Sequence, residues 1–486
     1  MAKKVVLLQP KTGGWDLAGT RPPDSLLAVA AEPYHAGYAI QIIDQRIDRH
    51  WKTTLKDALK EALLFGTTSM TGPQIRYALE ASKFVKENSD VPVVWGGVHA
   101  SLLPEQTLQS KYIDIVVKGE GDYALYEIIQ ALENNEGLDG IKGLYFKKDG
   151  KIKHTGERPL IRDLDNLKNL PYELVDLDNY YGFDIGKGKS ITLMTSRGCP
   201  YRCAFCYNTV YNKNRWRGMS AERTLELIQR VVFDFGVKSI YFQDDNFCAN
   251  VQRFEKIVHG IIKEKIEFSW GLLGARVNTL ADISDTLMAN TVKAGCMNID
   301  VGVESGADRI LELVSKDVNV SEVIKLNKRL SKYFDKTKYT FIMGVPSETE
   351  AELLQTVQLA TRLCTDNSQV LPLFFIYCAY PGTQLHDLAV EYGFKVPQSL
   401  EEWSAINYET AYLHYPWLDN RRIRMMQNFE FSSMFASKNN EYKMRSHWHK
   451  MIARIYRPIA KARFEHNIYH LPVERLTARL LARVLV

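Results

Sequence analysis

The sequence predicts an α/β protein in four stretches: a doubly wound (Rossmann-like) sheet domain over residues 1–140, a hairpin and linker over 141–188, a partial (β/α)6 barrel over 189–395 and a mainly helical C-terminal region over 396–486. Three observations predict it. Short apolar runs alternate with amphipathic ones, the pattern of parallel strands joined by crossover helices. The alternation occurs twice, separated by a stretch with no clear period. And 486 residues exceed one ordinary core, so several domains are expected.

In the first series the strands are VVLLQP from Val5, IQIID from Ile40, LLFGTTS from Leu63, PVVWGG from Pro92 and DIVVKGEG from Asp114. Between them lie the helical runs SLLAVAAEPYHAGY, TTLKDALKEA, residues 73–88 and SLLPEQTLQS. GLYFKKDGKIKHTGE is a β-hairpin turning at Asp149-Gly150. RDLDNLKNLPYELVDLDNYYG reads as linker. The second series has strands from Ser190, Ser239, Phe268, Met297, Lys338 and Val370, followed by helical runs such as AERTLELIQRVVFDFG and TEAELLQTVQLATRLC. Six such units fall short of a closed eight-fold barrel, and an open one fits the count. Ligands of such barrels gather at the C-terminal ends of the strands.

Composition sets the class. The chain is 45% hydrophobic and 24% charged, an ordinary globular balance. No apolar stretch is long enough to span a bilayer, and MAKKVVLLQPKTGG is too short and strand-like for a signal peptide. A cytoplasmic enzyme is expected, and seven cysteines in a reducing compartment are no disulfide framework. The net charge of +5 is uneven: from Lys443 onward ten Lys or Arg face two Glu.

Three of the seven cysteines, Cys199, Cys203 and Cys206, crowd into TSRGCPYRCAFCYN just past the first barrel strand. Structural zinc takes four ligands, and no fourth Cys or His follows at ligand spacing; Cys248 lies on a different strand end. Iron–sulfur clusters also take thiolates, and three ligands on a four-iron cluster leave one iron open. Packing as small hydrophobes gives the cysteines no reason to share a loop with Gly198 and Arg202.

The C-x3-C-x2-C spacing, with Phe205 before the last cysteine and at the end of strand one of a partial barrel, resembles the radical S-adenosylmethionine superfamily. The resemblance implies a [4Fe–4S] cluster on Cys199, Cys203 and Cys206. Its open iron binds S-adenosylmethionine, whose reductive cleavage yields a 5′-deoxyadenosyl radical that abstracts hydrogen. It further implies S-adenosylmethionine contacts from Phe205, from Asp244 and Asp245 in DDNF after strand two, from Arg276 after strand three and from Glu304 in GVESG after strand four. GVPSET and YPGT match segments on the adenine side. One departure stands: Asp-Asp-Asn replaces the Gly-Gly-Glu of many relatives.

The sheet domain is similar to the cobalamin-binding domain of a large radical branch, through SMTG, WGGVHAS and VKGEGD at three strand ends. Glycines at strand ends let backbone approach a large flat ligand. The resemblance implies cobalamin contacts from Ser69, Thr71, Gly96, Gly97, His99, Gly119, Glu120 and Gly121. The D-x-H-x-x-G ligand motif is absent, which implies cobalt without a protein imidazole; His35 reads as solvated. The implied reaction is C-methylation at an unactivated carbon of a small-molecule or lipid substrate (isoprenoid or other natural product), with oxidative cyclisation or carbon–carbon bond formation without methyl transfer as the alternative. It implies an electron donor such as flavodoxin or ferredoxin.

Cys248 and Cys378 lie near strand ends as candidates for a radical-quenching or proton-donating role, whereas Cys296 and Cys364 read as packing residues. The C-terminal region, rich in Tyr, Trp, His and Arg, is expected to cap the substrate. Its last stretch, from Val473, sets Leu476, Leu480 and Val484 against Arg475, Arg479 and Arg483, a basic amphipathic helix suited to peripheral membrane contact. No nucleic-acid-binding module accompanies the charge.

Overall fold

The computed structural model describes residues 4–14, 16, 20–180, 188–407, 410–436, 447–466 and 468. In the first half β1 (Lys4–Gln9), β2 (Ala39–Asp44), β3 (Ala62–Thr68), β4 (Val93–Gly96) and β5 (Ile115–Val117) run parallel in the order β2-β1-β3-β4-β5. β1 is almost wholly buried because helices cover both faces of the sheet. Asp24–His35 and Ala124–Glu133 pack on one side, Trp51–Leu59 and Pro73–Asn88 on the other. The order reverses between β1 and β3, and the strand ends there open toward the barrel.

The expected hairpin is present as β6 (Leu144–Lys148) and β7 (Lys151–His154). Asp149 and Gly150 have φ of 51° and 72°, the two left-handed residues of a tight hairpin turn. β6 pairs antiparallel with β5, so the hairpin continues the sheet. Two predicted helices differ in detail. SLLPEQTLQS divides into Val98–Leu102 and Pro104–Gln109, because Pro104 lacks a donor and restricts Leu103 before it. The run from Ala221 is α-helical to Gln229 and then closes in a π-turn over Arg230–Asp234.

The second half begins with β8 (Ser190–Leu193), followed by a two-stranded antiparallel pair, β9 (Ser196–Arg197) and β10 (Arg217–Gly218), that brackets the three cysteines. Then come β11 (Ser239–Phe242), β12 (Ser269–Arg276), β13 (Cys296–Glu304), β14 (Thr337–Met343) and β15 (Val370–Ile376). With β8 they form six parallel strands in chain order, and β8 and β15 remain edges: an open (β/α)6 barrel. Capping boxes start two of its outer helices, Asn319 with Glu322 and Thr349 with Glu352.

The C-terminal region contributes Leu400–Trp403, Asn420–Ala436 and His447–Glu465. Trp403 meets the His99 ring edge-on at 5.7 Å, Tyr415 bonds the Tyr377 carbonyl at 3.0 Å, and Trp417 bonds the Gly344 carbonyl at 3.1 Å. It thereby braces the outside of both domains. The basic helix expected from Val473 lies outside the described residues. Among the described residues no helix is long and apolar enough to cross a membrane.

Candidate active site

One cavity of about 1250 Å³ joins the C-terminal ends of the sheet strands to the barrel mouth. Gly96, Gly97, Gly119, Glu120 and Gly121 line it from the sheet side, and Cys199, Cys203, Phe205, Cys206, Asp245, Arg276 and Glu304 from the barrel. The volume exceeds that of an ordinary single-ligand pocket.

The cysteine loop is built from both ends. Gly198 has φ of 81°, and a Cβ there would stand 2.1 Å from the Arg215 carbonyl, so only glycine fits. Asp245 Oδ2 accepts from the Gly198 N–H at 2.8 Å and Oδ1 from the Tyr207 hydroxyl at 3.0 Å. Asp244 Oδ1 accepts from Thr195 N at 3.1 Å, Thr195 Oγ1 at 3.0 Å and Ser196 Oγ at 2.6 Å. Asp244 is buried and does not reach the cavity wall. The Asp-Asp-Asn departure thus has a local reason: its two carboxylates clamp the loop, and Asp244 holds it from behind rather than facing a ligand. Asn246 Nδ2 lies 3.9 Å from the Cys199 sulfur.

Burial pushes the Cys206 thiol up to about 12 and raises that of Cys199. Thiols so placed become thiolates when a metal pulls the proton off. Among the described residues no three metal-binding side chains converge at single-ion spacing. Arg276 Nη1 donates to the Cys203 sulfur at 2.5 Å, Nη2 bonds the Lys316 carbonyl, and the guanidinium lies 3.9 Å over the Tyr201 ring. Glu304 is paired with Lys316 at 2.6 Å, both buried. It closes β13 with φ of 74°, a strained value for a residue with a side chain.

On the sheet side the predicted residues divide. A Cβ on Gly96 would meet nothing within 4 Å, so this position opens directly into the cavity. Gly119, at φ of 91°, is similarly clear. Gly97 differs: a Cβ there would stand 2.6 Å from the Ser69 carbonyl, so its glycine serves the packing of β4 against the turn after β3. Gly121 is packed against Val29. Ser69, Thr71 and His99 do not line the cavity. Ser69 Oγ donates to the Gly96 carbonyl at 3.3 Å, and Thr71 Oγ1 lies 3.0 Å from His99 Nδ1. His99 is fully buried, which drives its pKa down to about 4 and keeps the ring neutral. The Glu120 carboxylate is occupied by Arg197 and Arg217 of the barrel, at 3.1 and 2.8 Å. His35 sits at the surface on the Asn169 carbonyl.

Cys248 and Cys378 are buried off the cavity, and desolvation holds both thiols near 12, protonated and without access to a substrate. GVPSET and YPGT do not line the cavity either. Nor, among the described residues, does any position beyond Phe375, those of the region expected to cap the substrate included.

Sequence reasoning missed the polar interior of the barrel. Asp300 Oδ2 accepts from the Tyr241 hydroxyl at 2.7 Å and from Lys338 at 3.1 Å, and Asn298 donates to Asp300 at 2.6 Å. Arg21 and Asp24 enter from the sheet domain, Asp24 accepting from Thr192 of β8. The signal was legible: in NIDVGVE the polar residues Asn298, Asp300 and Glu304 keep strand period on one face. Lys316, outside any strand, gave none.

The fold and the cavity agree with the comparisons. A model of the radical SAM superfamily matches residues 193–360, and one of the B12-binding domain matches residues 16–129. The chain is 31% identical over 410 residues to an uncharacterized methyltransferase of Pyrococcus horikoshii, covering 83% of this chain and 87% of that one. It is 27% identical to the anaerobic magnesium-protoporphyrin IX monomethyl ester cyclase of Cereibacter sphaeroides, over 79% of this chain and 63% of that one. Among solved structures, the cobalamin-dependent S-adenosylmethionine radical enzyme OxsB with aqua-cobalamin and S-adenosylmethionine bound shares the fold with a TM-score of 0.74 at 17% identity, over 100% of this chain and 75% of that one. TsrM, a radical S-adenosylmethionine methyltransferase from Kitasatospora setae with cobalamin and a [4Fe–4S] cluster, does so with a TM-score of 0.67 at 17% identity, over 82% and 80%.

Proposed function

The chain belongs to the radical S-adenosylmethionine superfamily, in the branch that carries a B12-binding domain, and from that premise we propose that it methylates an unactivated carbon of a small-molecule or lipid substrate. Its cofactors are a [4Fe–4S] cluster, S-adenosylmethionine and cobalamin, and a reductant such as flavodoxin or ferredoxin supplies the electron. When bound, they provide a hydrogen-abstracting radical and a transferable methyl group, chemistry that side chains lack.

The observation that carries the reading is the single cavity running from Gly96 and Gly119 to Cys199, Cys203 and Cys206. Methylation by this route requires the methyl carrier and the radical source to meet the same carbon, and one continuous space permits it. The residues divide the work. The three cysteines hold the cluster, with Asp244 and Asp245 fixing their loop. Arg276 places positive charge beside the Cys203 sulfur and offers the cavity a donor for a carboxylate. The Lys316 ammonium, 2.6 Å away, fixes the Glu304 carboxylate in place to accept hydrogen bonds from an amino or hydroxyl group. Gly96 and Gly119 leave the sheet end clear for a flat macrocycle. Asp300 and Lys338 give the barrel interior fixed polar contacts for the substrate.

The test feeds S-adenosylmethionine carrying an isotopic methyl label and weighs the product. Label in a product formed together with 5′-deoxyadenosine supports methyl transfer. An unlabelled product formed with 5′-deoxyadenosine favours the second reading, oxidative cyclisation, to which the cyclase relative lends support.

A further inference from the structure

The helix His447–Glu465 packs against Glu350–Asp366 and Asn420–Ala436 on the outside of the barrel, with Ala460 and Arg463 buried in the contact. Its outer side is apolar. At helical spacing Trp448, Met451, Ile452, Ile455 and Ile459 form one stripe, and all are exposed: Trp448 by 71%, Ile455 by 68% and Ile459 by 53%. Exposed Pro458 and Ala462 fall in the same sector. Scattered apolar residues on a surface are ordinary, but an aligned stripe about 20 Å long, with a tryptophan at its head, marks a contact surface.

Charge identifies what covers it. Exposed Arg454 and Lys461 run along one edge of the stripe. The helix holds five Lys or Arg, with Glu465 its one acid. A second copy laid on the stripe would bring the same cationic edge against the first. The chain beyond residue 468 carries Arg475, Arg479 and Arg483, charge of the same sign. Like charges at close range oppose both arrangements, whereas an anionic surface satisfies the apolar stripe and its cationic edge together.

We propose that this face docks the enzyme on an anionic lipid surface. The stripe enters the headgroup boundary while Lys461 engages lipid phosphate. The helix lies on the membrane and does not cross it. This moves the expected membrane contact from the stretch after Val473 to a helix whose exposed side is apolar in the folded protein.

The experiment is co-sedimentation of the full-length protein with vesicles of phosphatidylcholine alone or mixed with phosphatidylglycerol. Binding is expected to the mixed vesicles and to weaken with salt. Ile455→Glu/Ile459→Glu should abolish it. Lys461→Gln should weaken it about 5-fold, since a cation near such a surface contributes about one kcal/mol. A chain truncated after His466 should still bind. Because these positions are exposed, unchanged melting and iron content will confirm that each variant folds. Full binding by the Ile455→Glu/Ile459→Glu protein overturns the proposal. So does loss of binding on truncation alone, which would assign the contact to the terminal segment, or a vesicle-indifferent dimer that the same double substitution dissociates. Docking is read on the resting enzyme, so its failure leaves the reaction unaffected.

Discussion

Glu120 of the sheet domain stands 2.8 Å from the Arg217 guanidinium of the barrel, with side chains only 3% and 9% exposed. The same carboxylate accepts from Arg197 at 3.1 Å and from the Ile161 N–H at 2.7 Å, and Arg197 also holds Asp122 at 2.7 Å. Burial opposes the charge on Arg197, but Asp122 and Glu120 outweigh it and hold its pKa above the ordinary arginine value. The cluster ties the two cofactor-bearing halves together along the cavity wall.

Removing Glu120's charge should therefore unlock the domains. Glu120→Gln leaves two arginines short of a buried partner, which costs about 3 kcal/mol. Glu157→Gln, which breaks an exposed pair with Lys118, should cost within about 0.5 kcal/mol. Denaturant unfolding of the two variants measures the contrast. Equal small losses would show that the Glu120 cluster does not hold the domains.

The neighbouring glycines Gly96 and Gly97 make opposite predictions. Gly96→Phe has room for its Cβ and no positive φ to strain, so the protein should fold normally while the ring fills the space proposed for the corrinoid. Gly97→Ala forces a Cβ to 2.6 Å from the Ser69 carbonyl at φ of 92°, so it should lower the melting temperature. Corrinoid absorbance after reconstitution, read beside a melting curve, separates the two. Undiminished uptake by Gly96→Phe would place the ligand elsewhere.

The cluster assignment separates the cysteines by position. Cys199→Ala, Cys203→Ala and Cys206→Ala should each fail to hold a complete cluster and to form 5′-deoxyadenosine. Cys248→Ala and Cys378→Ala should keep both, because these thiols are buried away from the cavity. Iron content and nucleoside analysis decide. A Cys203→Ala protein with full iron and cleavage would exclude that residue as a ligand.

Most of this architecture was legible because strand period and cysteine spacing are local. The six barrel strands, the Asp149-Gly150 turn and the cysteine loop each announce themselves within a dozen residues. Roles that depend on tertiary packing were not legible. Glu120 and Gly97 stand in cofactor-like motifs, yet one is absorbed by Arg197 and Arg217 and the other by the turn at Ser69. Asp244 occupies a ligand-facing place in the motif but points into the loop it supports. The stripe on His447–Glu465 could not be told from a packed helix face, since periodicity shows that a face is apolar but not whether anything covers it.

The last prediction concerns Asp24, which the sheet domain sends into the barrel beside Thr192. Burial raises its pKa from 3.8 to about 7, against the lowering influence of the Thr192 hydrogen bond and the Arg21 and Arg46 charges. Its Oδ1 is sealed from solvent without a hydrogen-bond partner, the environment of a neutral acid rather than a carboxylate. Below the unfolded value of 3.8 both states hold the proton and the group makes no difference. Between 3.8 and about 7 the folded protein keeps a proton that the unfolded chain releases, so stability falls as pH rises through that window. Above it the loss is complete. Asp24→Asn keeps the shape and cannot ionise, so it lacks this slope. Wild type should lose ground to Asp24→Asn as pH climbs from 3.8 to about 7, after which the difference should stay constant. Melting temperatures of both proteins across that range measure it. Parallel curves would mean that Asp24 ionises at its ordinary value, and the neutral-acid reading of the barrel interior would then be abandoned.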